Sequence, residues 1–149
     1  MNKNPARIVP LLLAVALFAV AQLALAAENH RLILQVNDND PARMNLVMNN
    51  ASNIISYYQD KGEPIEVEIV AYGPGLHMLR ADTSPVAKRV ASFSDSFDNV
   101  TFAACGNTMK GMSKKEGKEV ELLPQAKVVP AGVVRILELQ EQGWSYVKP

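Results

Sequence analysis

The strongest constraint on this chain is an alternation of short apolar runs with longer amphipathic stretches. Leu32-Ile33-Leu34-Gln35-Val36 is nearly continuous in apolar character and ends in Asn37-Asp38-Asn39-Asp40-Pro41. A continuous run of this length reads as a strand covered on both faces, as in a parallel sheet. Asp40 then Pro41 forms a helix start, with an acceptor at the cap and a proline at the first helical position. Met44, Val47, Met48, Ala51, Ile54, Ile55 and Tyr58 follow at helical spacing, and Gly62 stops the helix. Ile65 to Ala71 reads as a second strand. Its alternation of Ile65, Val67 and Ile69 with Glu66 and Glu68 predicts a less covered end or an edge position.

The alternation continues. Tyr72-Gly73-Pro74-Gly75 is a turn, Leu76 to Arg80 a short helix, and Ser84-Pro85 opens another over Val86 to Ser94. Val100 to Ala104 is a third strand. Cys105 to Thr108 is the turn after it, and Met109 to Lys114 a helix. Ala126 to Val129 is a fourth strand. After Pro130, residues Val133, Val134, Ile136, Leu137 and Leu139 supply a broad apolar helix face, closed by Gly143. Trp144 to Val147 is a last strand. Strands alternating with helices predict an α/β fold with right-handed crossovers. The sheet is expected to be mainly parallel, with about five strands sandwiched between helix layers. Lys110 to Glu121, charged and carrying Gly111 and Gly117, is the expected mobile stretch.

The N-terminus is of another kind. Lys3 and Arg7 precede an apolar run from Ile8 to Ala21, and small residues Ala24-Leu25-Ala26-Ala27 follow. A basic start, an apolar segment of roughly 14 residues and an Ala-x-Ala site form the pattern of a secretory signal peptide. The reading is a signal over residues 1–26, cleaved near Ala26, and one domain over 27–149 in the periplasm or secreted. The alternative is an uncleaved anchor, since the stretch just spans a bilayer if Gln22 to Ala27 is included. Without the signal, 13 basic side chains stand against 15 acidic ones. Such a balance leaves no electrostatic footprint for nucleic acid. No later segment is apolar enough to span a membrane, so no membrane association is expected after cleavage. Roughly 120 residues suffice for a core without staples.

Cys105 is the one cysteine. A lone thiol in an oxidising compartment is buried, paired with another chain, or used. In an open parallel sheet, ligands bind beyond the C-terminal strand ends. Three segments are expected to converge there: Asn37 to Asp40, Tyr72 to His77, and Cys105 to Thr108. Cys105 then sits at a strand-to-helix junction. Gly106 lets the backbone turn, and the following helix points its N–H groups and positive end at the sulfur, with Lys110 about one turn on. These effects favour a thiolate. Gly106, Asn107 and Thr108 are the candidate partners of its charge. Asn37, Gly73, Gly75 and His77 are the candidate binding residues on the neighbouring segments. His77 is either a base or hydrogen-bond partner for Cys105, or a solvent-facing or turn-packing residue.

Other chemistry is poorly supported. One His and one Cys do not make a zinc site, so neither a metal nor a cofactor is expected. Tyr72 to Gly75 lacks the order of a phosphate loop. Asn37 to Asp40 lacks the Gly and distal Glu of an EF-hand and reads as turn and helix cap. Met44 and Met48 belong to the apolar helix stripe, not to a soft-metal site.

Several segments together resemble the DsrE/DsrF-like family. They are the first strand with its Pro-capped long helix, Ala71-Tyr72-Gly73-Pro74-Gly75, Phe102-Ala103-Ala104-Cys105-Gly106-Asn107-Thr108, and Val128-Val129-Pro130-Ala131-Gly132-Val133-Val134-Arg135-Ile136. The resemblance runs from Arg31 to Pro149. It implies a flavodoxin-like three-layer α/β/α sandwich and a tendency to form homo- or hetero-oligomers. In sulfur-relay members a cysteine at the end of the third strand carries sulfur as a persulfide, and Cys105 falls on that position. The resulting expectation is an exported sulfur carrier that exchanges sulfur with donor or acceptor proteins, without a full catalytic constellation. The alternative is a non-enzymatic small-ligand-binding or assembly module in which Cys105 is structural.

Overall fold

The computed structural model describes residues 29–149. The signal peptide and its cleavage site, expected over residues 1–26, lie outside the described residues. Five strands form one sheet: β1 (His30–Val36), β2 (Ile65–Ala71), β3 (Val100–Cys105), β4 (Ala126–Val129) and β5 (Ser145–Val147). All pairings are parallel, in the order β4-β3-β2-β1-β5. Between them lie α1 (Pro41–Lys61), a 3-10 helix (Gly73–Leu79), α2 (Ala87–Ser96), α3 (Gly106–Glu116) and α4 (Gly132–Glu141). This is the three-layer, flavodoxin-like α/β sandwich expected from the alternation.

The strand order explains how the layers are filled. The chain steps outward from β1 to β4, then returns past β1 to β5. Crossovers of one hand put helices on one face while the chain moves one way and on the other when it comes back. The packing agrees. Leu32, Leu34, Val36, Val67, Ile69, Ala71, Phe102 and Ala104 pack with α1, the 3-10 helix and α2, and Met109 and Met112 of α3 join them. Ile33, Val70 and Ala103 face the other way, against Ile136 and Leu139 of α4. One face therefore carries several helices and the other only α4.

Local signals place the elements. The Asp40 carboxylate accepts from the Ala42 N–H at 2.9 Å, and Gly62 closes α1 with φ 69°. Gly75 lies where a Cβ would come within 2.3 Å of the Val36 carbonyl oxygen. Only glycine lets the 3-10 helix sit this close to the end of β1.

Four sequence expectations are corrected. β2 is not an edge but the central strand, with Glu68 only 4% exposed. Its carboxylate is gripped by Arg135 of α4 through two 2.7 Å bonds, so an acid that signals solvent is instead a buried charge with a partner. The helix after β3 starts at Gly106, not Met109, because Cys105 itself caps it. The short segment after β2 is a 3-10 helix that begins at Gly73 rather than a helix from Leu76. The charged stretch from Lys110 is built into the fold. Arg80, 1% exposed, binds Asp82 and Glu116 through two edges of its guanidinium, and Lys118 binds Asp82 at 2.8 Å. This network ties the end of α3 to the segment after the 3-10 helix. Among the described residues no helix is long and apolar enough to cross a membrane.

Candidate functional site

The strand ends are level. Val36 pairs with Ala71, Ala71 with Ala104, and Cys105 with Val129. The loops after β1, β2 and β3 therefore meet at one end of the sheet, and the sequence-derived candidates fall around that end. Alternation along β3 turns Cys105 towards the α4 face, since Phe102 and Ala104 face the other core. The sulfur thus lies under the thinly covered layer.

Two helices begin at this sulfur. Cys105 is the N-cap of α3, and its Sγ accepts the Thr108 N–H at 3.4 Å. The Asn107 N–H also reaches it while donating to the Pro130 carbonyl at 3.1 Å. From α4 comes the N–H of Gly132, that helix's first residue. The Thr108 hydroxyl completes the set: its oxygen accepts the Gly73 N–H at 3.0 Å, which leaves its own proton for the sulfur. Burial by itself pushes the Cys105 thiol up. The Thr108 hydroxyl and the Gly132, Thr108 and Asn107 amides outweigh it and hold the thiol below its ordinary value. Donors aimed at sulfur from two helix N-termini favour the anion.

Gly132 has a steric reason to be there. A Cβ on it would stand 3.0 Å from the Tyr72 Cβ and 3.1 Å from its Cδ1. The bare backbone lets the start of α4 slide under the Tyr72 ring and bring its N–H to Cys105. Gly106 works the same way against β4, where a Cβ would lie 3.1 Å from the Val129 carbonyl oxygen. Its φ is not positive, so close approach, not a tight turn, is what selects glycine there.

Beside the sulfur runs a short polar chain on the α4 face. Gln35, 7% exposed, accepts the Tyr146 hydroxyl and hydrogen-bonds Tyr72. Burial, then the neighbouring Tyr146, push the Tyr72 hydroxyl up. Tyr72 therefore stays a neutral hydrogen-bonding group at neutral pH.

The other candidates occupy the opposite side of the sheet end. His77 lies in the 3-10 helix with its Nδ1 2.7 Å from the Thr83 Oγ1. With Gly73, Thr108 and Asn39 it lines a cleft of about 450 Å³ between the 3-10 helix and α3. Asn37 lies at the end of β1, and its Oδ1 is buried with no hydrogen-bond partner among the described residues. Among the described residues no group of three His, Cys, Asp or Glu side chains is placed to hold a metal.

Gly132, Tyr72, Gln35 and Tyr146 are the site residues that sequence reasoning did not assign. The Val-Pro-Ala-Gly-Val segment stood out as a motif, but nothing in one dimension ties its glycine to a sulfur 27 positions earlier. Cys105 itself is 5% exposed. A reagent reaches it only if the cover formed by α4 and its neighbours yields slightly.

Comparison with known proteins supports the family likeness. The DsrE/DsrF-like family model matches residues 18–149. A solved structure of a protein of unknown function from Methanobacterium thermoautotrophicum is 30% identical and superposes with a TM-score of 0.69. The alignment covers 81% of this chain and 100% of that one. No curated protein gives a significant match. With a family match across the whole described region, and a related chain sharing its fold along its full length, the chain belongs to the DsrE/DsrF-like family.

Proposed function

We propose that this protein is an exported sulfur carrier in which Cys105 accepts sulfane sulfur. One observation carries the reading: the Cys105 sulfur sits among amides from the starts of α3 and α4 and the Thr108 hydroxyl. A structural cysteine needs no such set of donors. A thiolate nucleophile does, because only the anion attacks sulfur at a useful rate.

The step is a displacement. The Cys105 thiolate attacks the outer sulfur of a persulfide R–S–SH. The new bond joins Cys105 Sγ to that sulfur, the R–S bond to it breaks, and R–S⁻ leaves with the electron pair. The proton stays on the transferred sulfur, giving Cys105–S–SH, and no external oxidant or reductant is consumed. The negative charge leaves with R–S⁻, so the bound persulfide is neutral as formed. Transfer onward is the same reaction with an acceptor thiolate. The burial of Cys105 fits a carrier whose persulfide must be kept from oxidants, which matters most outside the cell.

Incubation with polysulfide followed by intact mass measurement tests this. The expected result is a gain of about 32 Da that disappears after reduction and is absent in Cys105→Ser. Wild type and Cys105→Ser giving identical spectra refutes it. Export is tested separately: N-terminal sequencing of the protein recovered from the exporting cell should begin at Ala27 or Glu28.

A second reading, an assembly or binding module with a structural Cys105, draws on the 5% exposure of that residue. Native thiol titration separates the two, since an unreactive thiol favours the second. Self-association belongs to both. Val133, Val134 and Leu137 of α4 are 60%, 50% and 56% exposed. Contiguous apolar surface of this kind marks an interface. Leu137→Glu is expected to lower the mass seen by light scattering. A wild-type monomer would remove the proposal.

A further inference from the structure

The cleft between the 3-10 helix and α3 is not needed to explain the state of Cys105, yet it has a definite chemistry. Lys115 lines it and makes no ion pair among the described residues, whereas neighbouring Arg80 and Lys118 are both engaged by carboxylates. No Asp or Glu lines the cleft. His77 has one ring nitrogen occupied by Thr83, which leaves the other for an outside partner. Asn39 adds an amide at the rim.

Gly111 gives an independent indication. It sits inside α3, where glycine costs about 1 kcal/mol against alanine. A Cβ there would meet nothing within 4 Å, so packing does not demand the glycine. It lines the cleft, and the missing side chain keeps the cleft open. Thr108 joins the two places: it lines the cleft, and its N–H lies on the Cys105 sulfur.

We propose that this cleft binds the carboxylate end of a small anionic thiol or persulfide, with Lys115, His77 and Asn39 as its contacts and Thr108 as the residue it shares with the surroundings of Cys105. The identity of the ligand as a donor rests on the sulfur-carrier reading. The existence of the anion site does not. Neutral donors would lack the Lys115 contact and bind less well.

The test uses Cys105→Ser protein, so that binding is measured apart from sulfur transfer. The probe is S-methylglutathione, which carries two carboxylates and no free thiol, against its dimethyl ester. NMR titration is expected to move the amide signals of Asn39, Gly73, His77 and Gly111 with the acid. Lys115→Gln should weaken binding about fivefold, in line with a single partly solvated ion contact. Gly111→Leu should weaken it more while leaving the thermal midpoint unchanged or raised, because a helix interior gains from losing glycine. Binding of the acid that is unchanged in both variants overturns the proposal, as does an ester that binds as tightly as the acid, or no shift at these residues at millimolar probe. If the anion binds as described but Cys105 gains no sulfur from polysulfide, the carrier reading fails and the cleft stands.

Discussion

Thr108→Val isolates the hydroxyl from the rest of the Cys105 environment. Valine keeps the shape of threonine and the backbone N–H that lies 3.4 Å from the sulfur. What is lost is the hydroxyl, which accepts from Gly73 at 3.0 Å and donates to sulfur. Two consequences follow. The part-buried Gly73 N–H loses its partner, at a cost of about 1 kcal/mol, or about 4 °C in the thermal midpoint of a domain this size. The thiolate loses a charge-assisted bond worth about 1.5 kcal/mol, which makes the thiolate fraction about tenfold smaller at any pH below the thiol's midpoint. The assay is thiolate absorbance across pH in native protein, with alkylation followed by mass spectrometry as a second readout. Thr108→Ser keeps the hydroxyl and is expected to titrate close to wild type. If Thr108→Val ionises at the same pH as wild type while Thr108→Ser is also unchanged, the hydroxyl does not act on the sulfur and the account of the lowered thiol is wrong.

Two further predictions concern stability. The Cys105 thiol is lowered from 9.0 in the folded protein, so its contribution is complete above that value and lost as pH falls through the lower folded midpoint. The difference in unfolding free energy between wild type and Cys105→Ser, from urea titrations at stepped pH, should therefore rise as pH approaches 9.0; a flat difference contradicts the lowered thiol. Arg135→Ala leaves the Glu68 carboxylate, 5% exposed, without its cation, and should cost about 3 kcal/mol. Replacing both residues with leucine should recover most of that loss, and a single variant as stable as wild type would show that the pair holds nothing.

Much of this protein was legible in one dimension. Continuous apolar runs with polar ends mark strands buried on both faces. The Asp40-Pro41 and Gly62 signals bound α1 to the residue. Cys105 at the end of a strand, with a glycine after it, points to a helix N-terminus. These are local effects, encoded by neighbours in sequence. What one dimension could not carry was the partner of each residue. Glu68 looks like a solvent-facing acid until α4 returns across the sheet and supplies Arg135, which turns an apparent edge strand into the central one. The same return brings the Gly132 amide to Cys105 and fits it under Tyr72.

The sequence by itself determined the α/β class, the boundaries of the long helix and the position of the one thiol. Tertiary structure alone decided the strand order, the layer towards which that thiol points, and the donors that hold it below its ordinary value. The physical reason is range. Periodicity and capping act over one or two turns of chain, whereas the lowering of the Cys105 thiol draws on a helix start that only the path from β4 back to β5 delivers.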